Sequence, residues 1–197
     1  RLSSGHRINS AADDAAGLAI SESMRTQIRS YVVAERNASD AISMTQTAEG
    51  ALGEMHSILG RLRELAMQGS NGSMTATDRG YLSTEFSALQ AEMTRIQASS
   101  KFNGKSLLSA TASSLTFQVG LNNTASDKVT LTFGGLGLTT LLAATTNLSG
   151  AGTTASLTAL GRIDSALATI STSRARFGAA MNRFEVVTSS IQTMRLN

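Results

Sequence analysis

Nowhere in its 197 residues does this chain carry a proline. An internal proline breaks a helix at a cost of roughly 3 kcal/mol, so its absence over this length leaves long helices uninterrupted. Apolar side chains recur at helical spacing. Met24, Ile28 and Tyr31, then Leu52, Met55, Leu59, Leu62 and Ala66, step by three and four, with a thinner stretch of Ala38, Ala41, Ile42 and Ala48 between them. The spacing predicts a first long helix with its entry segment over 1–68, the helix itself from about Ala12 to Gln68. Ser10 with Asp13 three residues later resembles a capping box at its start. Gly69-Ser70-Asn71-Gly72-Ser73 ends it. At 1.5 Å per residue such a helix is roughly 80 Å long, which implies a rod rather than a ball.

A second helix is predicted over 77–99, with Thr77 as its cap and Asp78 in its first turn. Its apolar stripe is Leu82, Phe86, Leu89, Met93 and Ile96, and Phe102-Asn103-Gly104 marks a turn beyond it. Between 113 and 133 the period becomes two. Leu115, Phe117 and Val119 alternate with polar residues, as do Val129, Leu131 and Phe133, and a loop-like stretch separates them: a β-hairpin. Residues 134–154, rich in Gly, Thr, Ser and Ala and pinned by Leu136, Leu138, Leu141 and Leu142, read as a short connector. A returning helix over 156–197 carries Leu160, Ile163, Leu167, Ile170, Phe177, Met181, Phe184 and Ile191. Arg174 and Thr188 are polar members of that stripe and need partners if buried. The fold expected is mainly α: a single elongated domain over 1–197, an antiparallel rod of three long helices with a β-hairpin packed on its side.

Glycines at 17, 50, 53, 60, 161 and 178 fall inside these helices, each costing about 1 kcal/mol against alanine. Close approach of helices within the chain and packing against other subunits explain them equally well.

The chemistry of catalysis is missing. With no cysteine there is no disulfide, thiolate metal site or thiol nucleophile. The two histidines, His6 and His56, lack carboxylates at ligand spacing, and His56 with Glu54 reads as a solvated pair on a helix face. Asp13 and Asp14 diverge if helical and read as acids of a first turn. Gly134-Gly135 lacks the Lys and Ser/Thr of a phosphate loop. No nucleophile, base and orienting group come together, and no catalytic, cofactor or metal residue is assigned. Lys and Arg number 17 against 14 acids and are scattered, not gathered into the basic face that nucleic acid requires. No run of about 18 apolar residues is present to span a membrane.

The wording of the helices is more specific than their period. The opening RLSSGHRINSAADDAAGLAISESMRTQIRS resembles the amino-terminal signature of bacterial flagellins. RNASDAISMTQTAEGALGEMHSILGRLRELAMQGSNG resembles the rest of that family's first long helix, FNGKSLL and LTFQVG its turn and hairpin, and RIDSALATISTSRARFGAAMNRFE its returning helix. The resemblance covers the chain except about Gly134 to Thr154. It implies a structural subunit of the extracellular flagellar filament, and specifically the outer-core domain without the terminal helices. The large variable domains of many relatives are replaced by the connector. Other flagellin subunits are the implied partners. A hook–filament junction protein is the nearer alternative, a helical adhesin the more distant one.

The resemblance also implies recognition by the vertebrate Toll-like receptor that senses flagellin. Its family contacts match Arg61 and Leu65 of the RLRELA run, Glu92 on the second helix and Arg183 on the third. Arg61 and Leu65 are four apart, on one helix face, and point sideways from the stripe at about 80 to 120 degrees. That favours surface positions for both, with Leu65 as a flanking core residue the alternative. Gly60 stands where relatives often carry a longer polar side chain.

Overall fold

In a computed structural model of the chain, residues 14–138, 148 and 153–196 are described. Helix α1 spans Ala15–Gly69. Asp14 lies just outside it as its cap, the Oδ1 atom accepting from Gly17 N at 2.9 Å. Asp14 is therefore not an acid within the first turn. The Ser10–Asp13 pair, His6, and Leu141 and Leu142 of the connector lie outside the described residues.

Helix α2 spans Ala76–Ser99, and its cap is Thr75, one residue pair earlier than Thr77. Thr75-Ala-Thr-Asp78 forms a full capping box. Asp78 N donates to the Thr75 hydroxyl at 3.2 Å, and Thr75 N donates back to Asp78 Oδ2 at 3.0 Å. The Thr-x-x-Asp spacing satisfies two orphan amides at once, which Thr77 with an adjacent acid cannot do. Beyond α2, β1 (Lys101–Phe102) and β2 (Lys105–Ser106) pair antiparallel around the turn at Asn103-Gly104. β3 (Ser113–Gln118) and β4 (Lys128–Phe133) form the second two-stranded sheet. The returning helix α3 spans Thr154–Leu196. Mainly helical with a β-hairpin, the chain has the expected class.

The described chain divides into two compact units, with α1, α3 and the hairpin each contributing to both. One comprises residues 14–41, 116–129 and 183–196. In it α3 runs antiparallel to α1: the Tyr31 hydroxyl reaches Met194 Sδ at 3.4 Å, and Glu35 accepts from Gln192 and Arg195, each at 2.8 Å. Phe117 of the hairpin packs edge-on against Phe184 of α3 at 5.5 Å between centroids. Asn37 donates to Gln118 O at 2.9 Å. Ala34, Ala38, Phe184 and Ile191 are buried. Met24 and Ile28, expected in the apolar stripe, are 58% and 45% exposed. With Met194 opposite Tyr31, they lie beyond the last described turn of α3, and among the described residues nothing covers them; periodicity alone buries nothing.

The other unit comprises residues 42–115 and 130–182. Leu52, Met55, Leu59, Leu62 and Ala66 of α1 have no exposed surface, nor do Phe86 of α2 and Ala159, Ile163, Ala166 and Ile170 of α3. Phe133 of β4 stacks at a tilt on Phe177 of α3, centroids 5.4 Å apart. Arg174, the polar member of the α3 stripe, donates twice to Glu49 Oε1 at 2.9 and 2.7 Å; Thr188, its counterpart in the first unit, donates to Phe184 O at 2.9 Å. Both are thereby satisfied. Leu136, Leu138 and Leu148 pin the connector as buried leucines. At the hairpin exit Gly134 has φ +73, and a Cβ there would lie 2.6 Å from Thr111 O, so only glycine fits.

Candidate functional site

The α1 surface around Arg61 can be built from helix geometry. At 100° per residue, the buried positions Leu52, Met55, Leu59, Leu62, Leu65, Ala66 and Gly69 occupy an arc of about 140°. Arg61 and Arg63 sit at its two edges. Arg61 Nε donates to Glu85 Oε1 of α2 at 2.7 Å, and its Nη1 to Glu64 Oε2 at 2.9 Å. Arg63 Nε donates to Asp164 Oδ1 of α3 at 2.8 Å. Two neighbouring helices flank the arc, each latched to α1 by an arginine.

This arrangement corrects the placement of Leu65. It is 1% exposed, a core residue rather than a surface companion of Arg61. A stripe defined by one partner helix is narrow; α1 here serves two, which widens the arc on the α2 side until it takes in position 65. Arg61 itself is exposed, its side chain 48% accessible. The hydrogen bond to Glu85, followed by that to Glu64, raises its pKa further above the ordinary arginine value. It is a permanent cation with two acids arranged round it.

Glu92 is the terminus of a different pair. Arg95 grips it with two bonds, 2.8 and 2.6 Å long, and these lower the Glu92 carboxyl below the usual range. Glu92 stands two helical turns beyond Glu85, about 10 Å along α2 at 1.5 Å per residue. Arg183 is exposed on α3 and belongs to the first unit. Arg61 and Leu65 are thus adjacent on one helix turn, whereas Glu92 joins them only as a member of the same unit.

Three features of this unit go beyond the sequence reading. Arg79, 6% exposed, sends Nε to Gly69 O at 3.0 Å and Nη2 to Asn71 O at 3.1 Å, closing the carbonyl end of α1 from the first turns of α2. Its signal was present: Arg79 precedes Leu82 and Phe86 on the same 3-4 spacing, so a cation stood on a buried stripe beside a helix end. His56 is not a solvated partner of Glu54. It is half-buried, and its Nδ1 has neither exposed surface nor hydrogen-bond partner. It falls midway in the two heptads from Glu49 to Arg63, on the α3-facing edge, whereas Glu54 faces the α2 side. The third feature is the outward side of α1. A Cβ at Gly50, Gly53 or Gly60 would meet nothing within 4 Å. All three lie at least about 130° from the middle of the buried arc.

No described helix is long and apolar enough to cross a membrane. Among the described residues no three metal-ligating side chains gather.

Residues 1–113 match the family described as bacterial flagellin N-terminal helical region. A flagellin from Halalkalibacterium halodurans is 44% identical over 185 residues, 94% of this chain and 67% of that protein. The B-type flagellin of Pseudomonas aeruginosa is 52% identical over 122 residues, 62% of this chain, but only 25% of its own length is covered. The crystal structure of Bacillus cereus flagellin superposes with a TM-score of 0.68 at 33% identity, covering 79% of this chain and 88% of that one. The chain therefore spans about two thirds of one relative and a quarter of another.

Proposed function

This chain belongs to the bacterial flagellin family, the structural subunits of the extracellular flagellar filament, and on that premise we propose that the outward face of α1 packs against other subunits. The observation that carries this is the open space at Gly50, Gly53 and Gly60. Each glycine costs about 1 kcal/mol in a helix, and none is needed for a contact inside the chain. Close approach of a neighbouring subunit accounts for three glycines gathered on that one face. The role is structural and non-catalytic. In the full-length protein, Gly53→Leu and Gly60→Leu together are expected to leave the subunit folded and to abolish filaments seen by negative stain. Normal filaments from that variant would overturn the reading.

Recognition by the vertebrate Toll-like receptor for flagellin is the second part of the proposal. Arg61 supports it, as an exposed arginine with a fixed geometry, the kind of side chain that anchors interfaces. Leu65 acts in it from below, by packing, and Glu92 and Arg183 remain candidate contacts. Arg61→Ala is expected to weaken receptor binding by the monomer with the melting temperature little changed. Leu65→Ala is expected to lower the melting temperature as well. Unchanged binding by a folded Arg61→Ala protein would remove the site.

A further inference from the structure

Two Asn-Gly dipeptides occur, Asn71-Gly72 and Asn103-Gly104, and the fold treats them in opposite ways. An asparagine before glycine can lose its amide without an enzyme. The glycine backbone nitrogen attacks the asparagine Cγ, an N–Cγ bond closes a succinimide ring, and the Cγ–Nδ2 bond breaks, ammonia leaving with the proton of the attacking nitrogen. Solvent water then opens the ring at one carbonyl or the other, giving aspartate or, where the main chain is rerouted through the side chain, isoaspartate. Glycine favours the attack because it carries no Cβ beside the nitrogen and lets the backbone turn freely. In a folded chain the rate depends on whether that backbone and that carboxamide can rotate towards each other.

Asn71 is held at four points. Its N donates to Gln68 O at 3.1 Å, its carbonyl accepts from Met74 N at 3.2 Å and from Arg79 Nη2 at 3.1 Å, and its Oδ1 accepts from Ser73 N at 3.1 Å. Asn103 has none of these restraints on its side chain, which is exposed and makes no hydrogen bond to any described residue. It occupies the left-handed region at φ 47, with Gly104 at φ 76 after it, the two-residue turn that an Asn-Gly pair favours. A Cβ on Gly104 would meet nothing within 4 Å. The Gly104 N–H lies outside the ladder that pairs Phe102 with Lys105. Only the two-residue strands on either side resist rotation at Asn103.

We propose that Asn103 is a site of spontaneous deamidation and that Asn71 is protected by its bonds. The product places a carboxylate between Lys101 and Lys105. Its isoaspartyl form adds a methylene to the main chain of a two-residue loop, so the Phe102–Lys105 pairing no longer fits. The change stays local, because Ser100, Leu107 and Leu108 beneath the turn are buried and Leu107 N still donates to Ser100 O, at 2.9 Å.

The test incubates the intact protein in mildly alkaline buffer and follows both peptides by mass spectrometry, with isoaspartyl methyltransferase labelling to identify the rerouted product. Conversion at Asn103 is expected to run several-fold faster than at Asn71, and the difference to disappear when the same chain is held unfolded in urea. Asn103→Gln, whose longer side chain closes a ring far more slowly, is expected to remove the fast site and leave Asn71 unchanged. Equal rates in the folded protein, faster conversion at Asn71, or an Asn103 that stays intact while the urea-unfolded chain converts would each overturn the proposal.

Discussion

Helix α1 is one continuous element with two different fates. From residue 42 onwards its stripe is built of Leu52, Met55, Leu59, Leu62 and Leu65, none more than 1% exposed. Before residue 42 the buried positions are the alanines 34, 38 and 41, and the large apolar residues Ile20, Met24, Ile28 and Val33 are 45% exposed or more. The periodicity is the same in both stretches. What differs is the company: two helices flank the later stretch, whereas part of the earlier one extends beyond the last described turn of α3. A repeat of three and four specifies a face; burial requires something to lie against it.

That contrast is broken most sharply by truncation. Leu59→Ala is expected to destabilise the chain by about 3 kcal/mol, through lost transfer energy and the cavity left behind. Met24→Ala, chemically similar, is expected to stay within about 0.5 kcal/mol because its side chain is already in water. Urea unfolding followed by circular dichroism reads both. Equal losses would mean that the earlier stretch is covered in solution. Next in size is Arg79→Ala, expected to destabilise by about 2 kcal/mol, since it strands the buried Gly69 carbonyl at the end of α1 and removes one of the two bonds to Asn71 O. Arg79→Lys is expected to recover only part of this, because one ammonium lacks the planar fork that spans both oxygens.

These residues also show what sequence could and could not convey. The alternation of Val129, Leu131 and Phe133 announces a strand with one buried face, and all three are buried. The breaker cluster after Gln68 announces the end of α1. Both are local signals, written in neighbouring residues. Leu65 was misplaced because its burial comes from α2 returning along α1, a fact of tertiary pairing. The His56–Glu54 pairing fails for a local reason instead: two residues apart on a helix, their side chains leave it about 160° apart, which the spacing alone implies. The latches Arg61–Glu85 and Arg63–Asp164 join residues 24 and 101 apart, beyond any spacing rule. Helical spacing puts Arg61 and Arg63 at the edges of the stripe, yet which helix each meets is set by tertiary pairing.

The glycines sharpen the comparison from its outer side. Gly53→Ala and Gly60→Ala are each expected to stabilise the isolated chain by about 1 kcal/mol, because the added methyl meets nothing and the helix loses its most flexible residues. A shift to higher urea midpoint in both single variants, additive in the double, is the expected record. Destabilisation by either would show that the face is occupied within the chain and would remove the support for subunit packing there.

The smallest effect concerns acid, and it too separates the packed stretch from the open one. Asp78 accepts from the Thr75 hydroxyl and the Thr75 amide, and these two bonds, the hydroxyl first, hold its carboxyl below the ordinary value of 3.8. In the unfolded chain the bonds are gone and the proton binds more readily. The stabilisation is therefore complete above the unfolded value and drains away as pH falls through the lower, folded one. Glu92, lowered by its hydrogen bonds from Arg95, adds a contribution of the same sign, lost as pH falls below the ordinary value of 4.5. Both groups belong to α2, so acid is expected to loosen the α2 side of the later stretch. Asp78→Asn is expected to flatten the fall in melting temperature below about pH 4. Thr75→Ala is expected to flatten it less, since the amide of residue 75 still donates to the carboxylate. If the wild-type and Asp78→Asn curves run parallel through the acid range, the capping box does not carry this linkage and the acid sensitivity lies elsewhere in the chain.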